Sequence, residues 1–137
     1  MKNKFIILIS AAMIFSLTSC LEDCMVITGN GVSITETHRT ASFNKLENST
    51  SIDVIYKTAD TTGITITADE NLIDYILTET FDNTMEIKFH SDNNHFDFRV
   101  KPLITITSPR LEKAIITGSG AFLANEMTGD DVTLKIS

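Results

Sequence analysis

The chain has 137 residues, a formal charge of −7 at pH 7, 42% hydrophobic residues, 8 Phe, 2 Tyr and no Trp. A net acidic surface disfavours nucleic acid and anionic lipid headgroups, both of which call for cations. It also disfavours acidic polysaccharides unless a cation intervenes, and the lack of Trp weighs against a cleft built on flat aromatic platforms.

The first element is a leader. Lys2 and Lys4 precede an apolar run from Phe5 to Phe15, interrupted only by Ser10, and then Leu17-Thr18-Ser19-Cys20. Spanning about 30 Å of hydrocarbon takes roughly 20 apolar residues, so the run is too short for a transmembrane helix and suits a secretory signal. Leu17, Thr18, Ser19 and Cys20 resemble the lipobox of bacterial lipoproteins. The resemblance implies cleavage between Ser19 and Cys20 and lipidation of Cys20. At about 0.8 kcal/mol per buried CH₂, two or three acyl chains anchor a protein where one would not. Loss of Lys2 and Lys4 with the leader takes the formal charge from −7 to −9. Lipidation leaves Cys24, the second of two cysteines, as a lone thiol. Glu22 and Asp23 follow the lipid as either a solvated tether or a surface-export signal of the kind found in some Gram-negative lipoproteins. Residues 1–19 thus read as signal peptide, 20–30 as lipidated tether and 31–137 as one small domain, of a size that buries a single core.

That domain reads as strand after strand. Apolar and polar residues alternate in Val32-Ser33-Ile34-Thr35, Ile52-Asp53-Val54, Ile64 to Ala68, Met85 to Phe89, Phe96 to Val100, Ile104 to Thr107 and Val132 to Ile136. Period-two alternation rich in β-branched residues marks strands with one buried face. Turn residues separate them, at Gly29-Asn30-Gly31, Asp60 to Gly63, Ser91 to Asn94, Ser108-Pro109, Gly118-Ser119-Gly120 and Gly129-Asp130. One helical excursion is expected over Asp69 to Thr80, where Leu72, Ile73, Ile76 and Leu77 share a face and Asp69 is placed to cap. Hairpin dipeptides of the Asn-Gly kind are nearly absent. The stretch from Leu111 to Ala124 has apolar positions on either side of Gly118-Ser119-Gly120, which suits a β-solenoid of short strands with small residues at the corners.

Three blocks carry a family resemblance. Phe43-Asn44-Lys45-Leu46 with Ser51 to Tyr56, Ile64 to Ile73 around Ala68, Asn71 and Leu72, and Pro109-Arg110-Leu111-Glu112 through Gly120 are similar, in that order, to the head-GIN domain family of auto-transporter adhesins. The resemblance covers most of the mature chain. It implies an all-β, right-handed parallel β-helix without conserved catalytic residues, a role in cell adhesion, and a lipoprotein signal. Family members continue through further Gly-Ser-Gly turns where this chain stops at Ser137, so the domain reads as incomplete at its C-terminus. An uncapped coil there would expose backbone groups and favour self-association.

Catalytic and metal chemistry find little footing. His90 and His95, with Asp92 and Asp97, lack the spacings of strong metal sites, and a solvated turn is the simpler reading. Asp92 to Asp97 lacks the turn Gly and distal Glu of a calcium loop. Gly118-Ser119-Gly120 is a corner rather than a nucleophile elbow. Asp130 and Asp131 would point to opposite faces of a strand, and Arg99 and Lys101 share a face without a carboxylate cluster beside them. No cofactor, metal or catalytic residue is expected. Asp60-Thr61-Thr62 is either a polar turn or, by resemblance to a Gram-negative acceptor motif, a site of O-glycosylation on Thr61. Asn48-Ser49-Thr50 reads as part of a polar loop despite its sequon form.

The resulting expectation is an outer-membrane lipoprotein, on the surface or periplasmic face, held by lipid on Cys20. It would bind a protein or glycan ligand as an adhesin-like module. A self-assembling envelope protein and, last, a polysaccharide-active enzyme are the alternatives.

Overall fold

A computed structural model describes residues 25–90, 94–125 and 133–136. The strands run β1 Met25–Thr28, β2 Ser33–His38, β3 Lys45–Asn48, β4 Asp53–Thr58, β5 Gly63–Asp69, β6 Ile76–Phe81, β7 Thr84–Phe89, β8 Asn94–Asp97, β9 Leu103–Ser108, β10 Lys113–Ile116, β11 Phe122–Ala124 and β12 Thr133–Ile136. They form a five-stranded sheet in the order β12-β10-β3-β7-β6, a second in the order β11-β4-β9-β5-β2, and a two-stranded β1-β8 pair. We call the two larger ones the β3 sheet and the β9 sheet. Met25–Thr28, within the stretch read as tether, pairs in parallel with β8.

Alternation in the sequence becomes two-sidedness in space, because successive side chains on a strand point to opposite faces. Leu46, Met85, Ile87 and Ala114 from the β3 sheet and Val54, Tyr56, Ile64, Ile66, Ala68, Ile104 and Ile106 from the β9 sheet join one buried cluster. At about 25 cal/mol per Å² of apolar surface, this shared interior is the main stabilising term. Tyr75, Phe89, Phe96 and Phe98 extend it beneath β8 as tilted ring pairs, with centroids 4.7 to 6.2 Å apart.

The expected right-handed parallel β-helix is not what the chain forms. Parallel pairs do occur, among them β3 with β7 and β4 with β9. However, β5 runs antiparallel to both β9 and β2, and β6 runs antiparallel to β7. Both large sheets are therefore mixed and open, neither closed nor stacked as a solenoid. The β6–β7 reversal shows why periodicity misled. Its turn is Asp82-Asn83, both at positive φ (47° and 59°), which is the type I′ geometry that joins tightly paired strands. Asn and Asp tolerate that region without glycine, so no Asn-Gly was needed.

The helical excursion shrinks as well, because Ile76 and Leu77, which fit a helical face with Leu72 and Ile73, belong to β6. Ile73–Tyr75 form a single 3₁₀ turn without a side-chain cap, and Ile76 onward is strand. Asp69 does not cap it. Its carboxylate is fully buried and accepts the backbone N–H of Gly31 at 2.7 Å and of Arg99 and Val100 at 3.0 Å. It thereby ties the β1–β2 turn and the β8–β9 connection to the end of β5. Gly29 packs so closely on it that a Cβ would lie 2.4 Å from the carboxylate. Asn71 completes the clamp, donating to the Thr28 carbonyl at 3.0 Å and accepting from the Asn30 N–H at 2.8 Å.

Asn48-Ser49-Thr50 runs from the end of β3 into the β3–β4 loop, with Ser49 exposed, but Asn48 and Thr50 are buried. Asn48 accepts from the Thr50 N–H and hydroxyl at 2.9 and 2.7 Å and donates to the Ile52 carbonyl at 3.0 Å. The expected Gly-Ser-Gly corner packs against this segment. A Cβ on Gly118 or Gly120 would come within 2.0 and 2.1 Å of the Thr50 and Ile52 carbonyl oxygens, so only glycine permits the approach.

Candidate functional site

The outward positions of the β9 sheet are dominated by threonine. Thr35 and Thr37 on β2, Thr65 and Thr67 on β5, and Thr105 and Thr107 on β9 alternate with the inward residues of their strands. Register places Thr37 beside Thr65 and Thr65 beside Thr105, and the row continues through Ile55 to Leu123. Neighbouring hydroxyls bridge the strands, Thr35 to Thr67 at 2.8 Å and Thr37 to Thr65 at 3.2 Å. Sheet geometry spaces such groups about 4.8 Å across strands and about 6.8 Å along them. The result is a lattice of hydroxyls and methyls on a backbone held rigid from beneath.

A groove of about 640 Å³ is set into one end of this face, lined by residues 37–40, 61–65, Thr105 and Thr107. Its depth comes from Gly63. This residue opposes Thr107 on the outward side, where any other amino acid would project a side chain. Its φ lies outside the left-handed region, and a Cβ there would meet only the Thr107 Oγ1 at 3.4 Å and the His38 carbonyl at 3.8 Å. The missing side chain thus shapes the groove and is not required by the backbone.

No carboxylate lines the groove, whereas Arg39 does. Among the described residues the exposed Arg39 guanidinium has no ion-pair partner, and the Thr105 hydroxyl has no protein hydrogen-bond partner. His38 is held by Glu36 at 3.1 Å, and Thr40 by Thr80 at 2.7 Å. At the far side of the face, Lys101 pairs with Asp53 at 2.8 Å. That hydrogen bond, with the Ala121 N–H bonded to the same carboxylate, holds Asp53 below the usual carboxylate range.

The opposite face is different in kind. Outward positions of the β3 sheet align Glu79, Glu86 and Glu47 side by side on β6, β7 and β3. With Phe81, Asp82 and Thr84 they line a smaller groove of about 300 Å³. Lys88 bridges Glu79 at 2.8 Å and Glu86 at 3.2 Å, and these bonds raise its pKa above the ordinary lysine value.

Of the residues singled out from sequence, Leu17, Thr18, Ser19, Cys20, Glu22, Asp23 and Cys24 lie outside the described residues, as do Asp92, Asp130 and Asp131. Thr61 is exposed in the β4–β5 turn, on the wall of the larger groove. His90 and His95 are exposed, and among the described residues no group of three His, Cys, Asp or Glu side chains is placed to hold a metal. Arg99 contributes its backbone N–H to Asp69. Sequence reasoning passed over Arg39, Gly63 and the threonines as a set. A signal was there in the three Thr-x-Thr triplets at 35–37, 65–67 and 105–107, but their adjacency depends on strand pairing.

Comparison with known proteins agrees with this fold. Residues 42–137 match the model of the family described as "Putative auto-transporter adhesin, head GIN domain". Among solved structures, a "putative adhesin" from Bacteroides fragilis NCTC 9343 superposes with a TM-score of 0.73 at 25% identity, over 80% of this chain and 51% of that one. A "putative adhesin" from Parabacteroides merdae ATCC 43184 gives 0.73 at 26% identity, over 82% and 47%. A "Putative lipid binding protein" from Parabacteroides distasonis ATCC 8503 gives 0.69 at 25% identity, over 80% and 48%. The chain therefore spans about half the length of these solved structures. No curated protein matches.

Proposed function

Since the chain belongs to the family described as "Putative auto-transporter adhesin, head GIN domain", we propose that it is a non-catalytic binding module of the bacterial envelope. Lipid on Cys20 holds it to the outer membrane, and it presents the threonine face of the β9 sheet to its partner. One observation carries the choice of face: the threonine-lined groove that Gly63 opens, with a cation in its lining that has no ion-pair partner among the described residues. Hydrogen-bonding groups fixed on a rigid sheet can meet a partner without first paying the entropy of ordering a loop. The description of two matched structures as "putative adhesin" supports the reading.

On this reading Leu17 to Cys20 direct lipidation, and Glu22 and Asp23 direct the domain to the outer side of the membrane. Thr61, exposed beside the groove, is open to O-glycosylation. Cys20→Ala cells grown with labelled palmitate should lose the label and release the protein from the membrane fraction. Protease added to intact cells should remove the domain, and attachment of those cells to a host or matrix surface should fall with it. A domain that survives shaving while attachment persists would overturn the adhesin role.

Self-assembly is the second reading. Among the described residues both large sheets end in unpaired edges, at β2 and β6, and Phe81, the last residue of β6, stands 85% exposed. Open edges of this kind template pairing with another chain. Sedimentation across a hundredfold range of concentration distinguishes the two, since assembly predicts a rising mass and the binding module a constant one.

A further inference from the structure

We infer that the groove at Gly63 recognises a sugar bearing a single carboxylate, such as a uronic acid at the end of a glycan. The inference rests on the reading of this face as the contact surface and adds to it the chemical class of the ligand.

Hydroxyls are the first observation. Seven threonines, Thr37, Thr40, Thr61, Thr62, Thr65, Thr105 and Thr107, line the groove. A hydroxyl can both donate and accept, so Thr37, Thr40, Thr65 and Thr107 keep capacity for a ligand's hydroxyls beyond the bonds that they make to Thr65, Thr80, Thr37 and the Gly63 carbonyl. A peptide would also ask for apolar pockets at alternate positions, and apart from Ile64, whose side chain is buried in the core, no large apolar residue lines the groove. On a pyranose ring, equatorial hydroxyls two carbons apart lie on a spacing comparable with the interstrand repeat.

Charge is the second. The chain as a whole is acidic, at −7, yet the lining contains Arg39 and no Asp or Glu. The nearby Glu36 carboxylate is engaged by His38. The Glu79–Glu86–Glu47 row sits on the outer surface of the other sheet, with the core in between. Packed sheets alone stand about 10 Å apart, and the Debye length is about 8 Å at physiological salt. Repulsion from that row is therefore largely screened at the groove. A guanidinium without an ion-pair partner among the described residues, in a trough lined by no carboxylate, suits one planar acid group, which it binds through two parallel N–H···O bonds. A polyanion would still meet the acidic remainder of the surface, so one acid group per recognised end fits both observations.

The full chain, purified in detergent, would be titrated by calorimetry with a glucuronic-acid-terminated trisaccharide and with its neutral glucose-terminated counterpart. Saturable binding of the acidic sugar is expected, at least tenfold tighter than the neutral one and not displaced by equimolar inorganic phosphate. Arg39→Gln should weaken it at least tenfold and bring the two sugars level. Gly63→Val should abolish it while leaving the circular dichroism spectrum and thermal midpoint in place, because valine suits a strand and its Cβ meets only ordinary contacts. Equal binding of both sugars, displacement by phosphate, or binding unaffected by either variant would overturn the proposal. If no sugar binds while cell attachment still disappears in Gly63→Val, the acidic-sugar assignment falls and the adhesin reading survives. Attachment that persists in Gly63→Val removes the groove from that reading too.

Discussion

The two outer faces have the same architecture and opposite chemistry. Each lies on a five-stranded mixed sheet, and each covers half of one apolar interior. Yet one carries cross-bonded threonines and an arginine with no ion-pair partner among the described residues, whereas the other carries three aligned glutamates, two of them bridged by Lys88. Inward residues are set by packing and so resemble one another across the sheets. Outward residues are released from that demand, and the divergence there is where a partner can be selected. Threonine has high strand propensity and places a hydroxyl at no steric cost, so it suits a surface that must be both stable and rich in hydrogen-bonding groups. Directly opposed carboxylates repel one another, so the glutamate face gives up some stability, and Lys88 recovers part of it.

Removing the clamp that holds β1 and β2 should break this comparison most severely. Asp69→Ala would leave the Gly31, Arg99 and Val100 amides without their buried acceptor, at a cost of about 3–5 kcal/mol. Hydrogen exchange should show β2, the outer row of the threonine face, losing protection before β6 and β7. Equal loss on both faces would mean that the clamp supports the whole core. Next come paired truncations under each face, Ile106→Ala and Ile87→Ala. Both side chains are fully buried, and each change should cost about 2–5 kcal/mol in denaturant unfolding. Similar values would show a shared interior, while separate transitions would show that the sheets unfold independently.

Surface changes should be smaller and of opposite sign. Glu47→Lys places a cation beside Glu86 and should stabilise the glutamate face by up to about 1 kcal/mol. Thr65→Val, on the other face, removes a hydroxyl bridge to Thr37 and should cost less than about 1 kcal/mol. Thermal midpoints of the two variants give the comparison directly.

Acid and alkali should distinguish the faces by the smallest margin. Asp53 is held below its usual value of 3.8 by Lys101 and the Ala121 N–H. Its contribution is present above that value and is lost as pH falls through the lowered one. Lys88 is raised above 10.5 by Glu79 and Glu86, so its contribution is complete below 10.5 and lost as pH rises past the raised value. Midpoints measured across pH should therefore flatten at the acid end in Asp53→Asn and at the alkaline end in Lys88→Met. An unchanged acid end in Asp53→Asn, or an unchanged alkaline end in Lys88→Met, would contradict these assignments.

Much of the fold was legible in the alternation. Ile64 to Ala68, Met85 to Phe89 and Ile104 to Thr107 are strands with the expected residues inside. The family was legible too, and its blocks have physical meaning. Asn71 clamps the β1–β2 turn, and Gly118 and Gly120 admit carbonyl oxygens. Strand direction was not legible. Nothing in Ile64 to Ala68 distinguishes a parallel from an antiparallel neighbour, and Asp82-Asn83 turns the chain back without the glycine usually sought. Nor was Ile76–Phe81 recognised as strand, because its apolar residues also fit a helical face with Leu72 and Ile73.

The amino-acid sequence by itself determined the class, the inward faces and the family, since each follows from local chemistry that holds wherever the strands end up. Tertiary structure alone decided which strands became neighbours, and with that the site. Thr37, Thr65 and Thr105 are far apart in the chain and adjacent only because β5 inserts antiparallel between β2 and β9. Gly63 is a turn glycine in sequence and a groove in space, because the register sets its empty side opposite Thr107. Residue types fix which way a side chain points from its strand, while long-range pairing fixes what it points beside.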